Sequence, residues 1–362
     1  MASIMDITSV EQAIDWQADH AARNGAPATG RVVRAQRPLL GGETAVGRRM
    51  AAWPGRPVED ALPLRLAGGL HNLVLTGSDT RLAAVYDGTV TDQAEVDALV
   101  SDLVATFDQR LLPWLDGPPQ TNEAGRSASI MAGLLWLAER TGPRMRLHEL
   151  GASAGVNTML DRFAFDLGGV HAGPAGAAMR IVPEWRGEGR PPASQVVIEA
   201  IEGCDRAPID LTDADSALRL KSYVWAEMTE RMARLETAIA LAEEKAPRLV
   251  AQDAGDYVDA VLAQEQPVDT TRVFYHSIVW QYLPAETRAQ ITAALEDAGA
   301  RATADRRLAW VALETDRATF RHVLTVRHWP STTGAADGAP MVLGAAHAHG
   351  AWVEWFGDQV TT

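Results

Sequence analysis

The stretch of this sequence that carries the most chemistry is Arg146-Leu147-His148-Glu149-Leu150-Gly151-Ala152-Ser153-Ala154-Gly155-Val156-Asn157. Leu147 and Leu150 read as apolar strand positions, and Glu149 falls at the strand's C-terminal end. Gly151 and Gly155 permit a tight turn and the close approach of a ligand. The amides from Ala152 to Asn157 are then expected to open a helix whose N-terminus faces whatever lies above the strand. Three readings compete. The turn can bind a nucleoside, with Glu149 at the edge of the site. It can be a nucleophile elbow, because Gly151-Ala152-Ser153-Ala154-Gly155 spells G-x-S-x-G. Or it is an ordinary strand-to-helix turn that binds nothing.

Other residues of the same kind follow at strand ends. Asp205 comes after a strand near Val196–Ile198, and Asp253-Ala254 after Arg248–Ala251. Each Asp is an acceptor or a turn cap. His276 and Ser277 end a strand over Thr271–Tyr275, with Trp280 and Tyr282 just beyond. His276 is a proton acceptor near neutral pH or a satisfied core histidine. Trp280 and Tyr282 offer ring faces to a cation, or are core. Asn122, Glu123 and Arg126 open a helix ahead of the first strand and are placed to border an acceptor pocket. His347 and His349, two apart on an expected strand, point to one face. No third ligand stands at a diagnostic spacing, so no metal site is expected.

Those residues need a scaffold. Residues 1–143 read as a helical N-terminal region, a cap or lid, with helices near 1–24, over 62–75, from Thr91 to Leu112 and from Thr121 to Glu139. From 144 to 362 strands alternate with helices, which implies an α/β domain with a parallel sheet covered on both faces. A helix is expected from Asn157 to about Phe165, one long helix over 213–244 capped by Asp213, and others over 255–263 and 286–298. Leu308–Glu314 is a fifth strand. His322–Trp329 and Met341–Phe356 form an antiparallel hairpin across a Gly-rich turn. The Gly/Pro-rich stretch 167–195 reads as an inserted loop or hairpin, a candidate lid.

The totals bound the partners. The 362 residues, 47% apolar and 22% charged, suit a globular protein with ample core. A net charge of −14 argues against a nucleic-acid backbone or an anionic membrane as the main partner. A small-molecule substrate is expected, and the oligomeric state is left open. Cys204 is the one cysteine, so no intrachain disulfide forms. Met1–Asp6 lacks the features of a signal peptide, and no long apolar run is present, so a cytoplasmic location is expected.

The order of these motifs resembles the class I S-adenosylmethionine-dependent methyltransferases, a Rossmann-like superfamily, over roughly residues 144–356. Glu149-Leu150-Gly151-Ala152-Ser153-Ala154-Gly155 looks like its first motif. Gly203-Cys204-Asp205-Arg206-Ala207-Pro208 looks like its second strand end, and Asp253-Ala254 like its third. The resemblance implies a doubly wound sheet with an antiparallel C-terminal hairpin and S-adenosylmethionine as cofactor. It implies Glu149, Gly151, Ala152, Ser153, Gly155, Asn157, Asp205, Asp253, Ala254 and Ser277 around that cofactor. Asp205 would take the ribose hydroxyls and Asp253 the adenine amino group. His276 and Tyr282 would flank the reactive methyl, with Asn122, Glu123, Arg126 and Trp280 toward the acceptor. More narrowly, the blocks at 121–126, 149–157, 276–284 and 347–355 resemble a bacterial family catalogued as a domain of unknown function. The alternatives are a serine hydrolase using Ser153 with Glu314 and His347 or His349, and a cofactor-binding protein without transfer activity.

Overall fold

The computed structural model describes residues 7–331 and 336–357. The expectation for Met1–Asp6 and part of the expected Gly-rich turn fall outside them. The chain forms two compact units, Met1–Thr121 with Asp213–Ala233, and Asn122–Thr212 with Arg234–Thr362. The first boundary therefore falls ahead of the helix expected at 121–139, not behind it. That helix belongs with the sheet.

The first unit is helical. Val10–Arg23, Pro27–Arg34, Ala45–Ala51, Leu62–Leu75, Gln93–Thr106 and Ala214–Ser222 surround a core containing Ile14, Val33, Leu66, Leu70, Val100 and Tyr223. Asp92, one residue past the expected cap, accepts from Glu95 N at 3.0 Å. Gly68 lies so close to Tyr223 that a Cβ there would stand 2.6 Å from the ring. The helix expected over 213–244 is broken into Ala214–Ser222 and Thr229–Glu244. The break frees Glu227, whose carboxylate accepts from Ala28 N at 2.6 Å and Thr29 N at 2.9 Å. The helix that begins at Pro27 has Ala26 at its N-cap, with no side-chain oxygen of its own, so Glu227 supplies what the cap lacks.

The second unit is mixed α/β. Its strands are β1 (Arg144–Leu150), β2 (Phe163–Leu167), β3 (Val170–Ala172), β4 (Met179–Ile181), β5 (Glu184–Arg186), β6 (Val197–Asp205), β7 (Leu249–Ala251), β8 (Thr270–Ser277), β9 (Arg306–Thr315), β10 (His322–Trp329), β11 (Met341–Ala346) and β12 (Trp352–Trp355). Among the described residues nine of them form one sheet in the order β5-β12-β11-β10-β9-β8-β1-β6-β7. From β7 to β9 every pairing is parallel, and β9, β10, β11 and β12 then run as an antiparallel meander. The expected antiparallel pairing of β10 with β11 is present. The chain moves outward from β1 to β6 and β7, then returns to β8 on the other side of β1. The strand order thus reverses between β1 and β8, the place where open α/β sheets leave a crevice.

Alternation along the strands sorts the side chains onto two faces. His148, Phe274, His276, Trp310 and Glu314 share one face, and Leu295, Ile291 and Tyr257 of the helices Ala254–Leu262 and Ala285–Ala300 pack with Phe274 and Trp310 there. Glu149, Tyr275 and Val311 share the other, where Gly133 of the helix Ser127–Thr141 comes against Val311 and Val326. That helix is buried on all sides over most of its length, as an all-round apolar helix must be.

Three expectations are corrected. The turn after β1 leads into a short 3-10 helix, Asn157–Arg162, and not an α-helix. Phe163, Phe165 and Leu167 alternate with more exposed positions, so the chain joins a three-stranded sheet β3-β2-β4. The insert 167–195 is built as β3, β4 and β5, with β5 on the far edge of the large sheet beside β12. His347 and His349 sit in the turn between β11 and β12. Gly350 turns the chain there at φ +72°, pressed against the Gly125 backbone where a side chain would overlap it. No helix among the described residues is long and apolar enough to cross a membrane.

Candidate functional site at the first strand end

The site is built on the turn that leaves β1. Gly151 has φ +69° and Gly155 +72°, and Ser153 adopts +53°, a left-handed conformation uncommon outside glycine. Most of the turn's amides are already committed. Ala152 N donates to Cys204 O at 2.8 Å and Gly155 N to Ala152 O at 2.8 Å. Ser153 N donates to Asp205 Oδ2 at 2.9 Å, and Val156 N to Asn122 Oδ1 at 2.7 Å. The expected helix N-terminus with open amides is therefore replaced by a turn held from both sides by side chains. Gly203 of β6 makes the room, since a Cβ there would stand 2.8 Å from that of Ala152.

Glu149 lies beneath this turn, 2% exposed. Burial pushes its carboxyl up to about 8, against the opposing pull of the Tyr275 hydroxyl and the Arg126 charge. At pH 7 it is mostly protonated. Tyr275 OH lies 3.4 Å from Glu149 Oε2 and donates to Asn157 O at 3.1 Å. Burial holds the Tyr275 phenol well above its ordinary value, so it remains a donor. Asn157 is 1% exposed and near Glu149. Its carboxamide also draws the Glu149 value down and meets no other partner among the described residues, and Ser153 Oγ meets none. Buried polar atoms are costly without partners, so this group beside a buried carboxyl offers donors and acceptors to a polar ligand.

The sequence-predicted residues divide. Glu149, Gly151, Ala152, Ser153, Gly155, Asn157, Asp205 and Asn122 meet at the turn. Arg126, buried at the start of its helix, donates to Ser277 O at 3.2 Å and to Ala348 O at 2.7 Å, tying the end of β8 to the turn after β11. Glu123, adjacent to Asn122, turns to Gly125 N at 3.1 Å and Arg234 Nε at 3.2 Å. Asp205 also accepts from Ala207 N at 2.9 Å. Asp253 caps the helix that starts at Ala254, accepting from Gly255 N at 2.9 Å, and Ala254 is buried in that first turn. Tyr282 is 71% exposed.

His276 occupies a different setting from the one expected of a base. It is 1% exposed, on the face opposite Glu149. Its Nε2 accepts from Trp310 Nε1 at 2.9 Å, so Nδ1 carries the proton and donates to Glu314 Oε1 at 2.7 Å. Trp280 stacks on the imidazole at 5.1 Å. Both ring nitrogens are occupied, and no lone pair faces an acceptor. Glu314, spent on His276 and on Val279 N at 3.0 Å, is likewise not the third member of a Ser153 triad. Among the described residues no three His, Cys, Asp or Glu side chains gather closely enough to hold a metal ion.

Sequence reasoning missed Tyr275 and Trp310. The signal was available, because Tyr275 pairs with Glu149 in register and Trp310 precedes Ala312, the partner of His276, by one strand repeat. A cleft of about 510 Å³ lies elsewhere on this unit, lined among others by Met131, Asp161, His171 and Gln195, and includes none of the predicted site residues.

Gly151 shows how tight the site is. Its Cβ would overlap Val279 Cγ2, and φ +69° already disfavours a side chain. Gly151→Ala is therefore expected to destabilise the protein by about 1–3 kcal/mol, read as a lower urea midpoint. Any loss of ligand affinity in such a variant reports on that overlap as well as on ligand space.

Residues 11–355 match the family described as an uncharacterized protein conserved in bacteria, DUF2332. The chain belongs to that family. The match spans both units, so the family is defined by the helical unit as well as by the sheet. No curated protein and no solved structure matches the chain.

Proposed function

We propose that the chain binds S-adenosylmethionine at the C-terminal ends of β1 and β6 and transfers its methyl group to a small or medium acceptor. The observation that carries this reading is the buried Glu149 carboxyl facing the buried Asn157 carboxamide, with the Ser153 hydroxyl in the turn above them, at the foot of a glycine turn where the strand order reverses. Those groups suit the amino-acid end of the cofactor. Glu149 would ionise against its ammonium and Asn157 would donate to its carboxylate, with Ser153 lining the site. Each Asp205 oxygen already accepts one amide and keeps a second lone pair for a ribose hydroxyl. Asp253 Oδ1 is taken up by the helix cap, which leaves Oδ2 for an adenine amino group.

When bound, the cofactor supplies an electrophilic methyl on sulfonium. The protein's part is positioning, which alone accounts for several kcal/mol in a displacement of this kind. His276 is given no part in proton transfer, because Trp310 occupies its Nε2 and Glu314 its Nδ1. An acceptor that is already a lone-pair nucleophile needs no base.

One observation favours the hydrolase alternative, namely the left-handed Ser153 at the centre of G-x-S-x-G. Against it, Ser153 Oγ has no histidine partner among the described residues, and Ser153 N is committed to Asp205. Ser153→Ala is expected to keep cofactor affinity within about threefold, well under 1.4 kcal/mol. The parent protein is expected to resist a fluorophosphonate probe. Stoichiometric labelling at Ser153 would replace methyl transfer with acyl transfer as the reading. A binding protein without transfer activity would show the same affinities, yet no methylated product with any acceptor.

A further inference from the structure

We infer that Glu314, acting through His276 and Val279, is a positioning residue that sets the cofactor turn from the opposite face of the sheet. The inference rests on the methyltransferase reading for its binding readout only. Glu314 Oε1 takes two donors at once, His276 Nδ1 at 2.7 Å and Val279 N at 3.0 Å. His276 is fixed on its other side by Trp310 Nε1 at 2.9 Å, and Trp280 stacks on it at 5.1 Å and 13°. Between these anchors the chain passes through Ile278 at φ +52°, an unfavourable conformation for a β-branched residue. Ile278 N is held there by Leu313 O at 2.9 Å. A strained residue persists only where its surroundings over-determine it. Here they do so to aim Val279, whose side chain closes on Gly151 and leaves no space for a Cβ.

The path thus runs from a carboxylate on β9, through one backbone amide after β8, to the glycine that opens the turn over Glu149. The links join the ends of neighbouring parallel strands, β9 to the chain just after β8 and that chain to the turn just after β1. Without Glu314 the Val279 amide and His276 Nδ1 both lose their acceptor, and Ile278 has less to hold its strain. The 151–155 turn then loses the wall that defines its position.

The test uses the full chain in four forms, parent, Glu314→Ala, Glu314→Gln and Val279→Ala, plus the Glu314→Ala/Val279→Ala double variant. Two readouts are taken, affinity for S-adenosylmethionine and amide exchange of the peptides covering 276–284 and 150–157. Glu314→Ala is expected to weaken binding about tenfold and to speed exchange in both peptides. Val279→Ala is expected to weaken binding similarly but to speed exchange mainly in 150–157. The double variant should be no worse than the weaker single one, because both act along one path. Glu314→Gln keeps an oxygen for both donors and should recover most of the affinity. A folded Glu314→Ala with parent affinity and unchanged exchange in 150–157 would overturn the inference while leaving the cofactor reading intact. So would additive losses in the double variant. If the parent binds no cofactor, the exchange readout decides alone, and coupling between the two peptides sustains the positioning role without the methyltransferase reading.

Discussion

Glu149→Gln is expected to be more stable than the parent at pH 8 and to lose most of the parent's decline in stability between about pH 5 and pH 8. The carboxyl's folded value, pushed up to about 8 by burial, lies above its ordinary 4.5. A raised acid binds its proton more tightly in the folded state. Its contribution is fully present below the unfolded value, falls as pH rises through the window, and is lost once pH passes the folded value. The parent should therefore give up on the order of 3–4 kcal/mol across that window from this group alone. Glutamine does not titrate, keeps an oxygen facing Tyr275, and removes that slope. Thermal midpoints at four pH values read the effect. Parallel curves for parent and variant would show that Glu149 does not hold its proton as the burial implies. The same substitution bears on binding. A cation settling against Glu149 should expel close to one proton at pH 7, visible as buffer-dependent heat, and Glu149→Gln should abolish that release and weaken binding about tenfold.

Asp205→Ala should be the more damaging change. One carboxylate secures both Ser153 N and Ala207 N, each at 2.9 Å. Hydrogen bonds to a charged group contribute about 1.5–3 kcal/mol each, and partial exposure lowers the sum, so a loss of about 2–4 kcal/mol is expected. With the turn unpinned and the diol acceptor gone, cofactor affinity should fall by at least about tenfold. Asp205→Asn presents one acceptor oxygen and one donor, so it can restore one amide bond and not both. It should lie between parent and alanine in stability and in affinity. Parent-like cofactor binding by the alanine variant, measured by calorimetry on folded protein, would remove Asp205 from the ribose site.

Much of this architecture could be read before any coordinates, and the reasons for the rest are physical. The helix Leu62–Leu75 was legible to the residue because its Leu spacing and Pro63 leave little choice. Five parallel strands were legible as short apolar runs bounded by polar or glycine residues. The helix after Asn157 was not, since the alternation of Phe163, Phe165 and Leu167 outweighs local helix propensity only once a second sheet exists to receive it. The break at Glu227 answers a demand 199 residues away in sequence, at Ala28 N, which no local pattern announces. His276 was legible as either a base or a core histidine, and Trp310, one strand away, decided between them. The turn residues Glu149, Ser153, Asn157 and Asp205 were found by motif. The occupancy of their amides was hidden, because Asn122 comes from ahead of the helix Ser127–Thr141 and reaches Val156 only in the folded chain.

Calorimetric titration of the parent protein with S-adenosylmethionine, and with its demethylated product, tests the central claim most directly. One site per chain is expected, with a dissociation constant at or below about 100 μM for both ligands and proton release near neutral pH that vanishes in Glu149→Gln. Absence of binding by either ligand up to about 5 mM, with the protein folded, would contradict it.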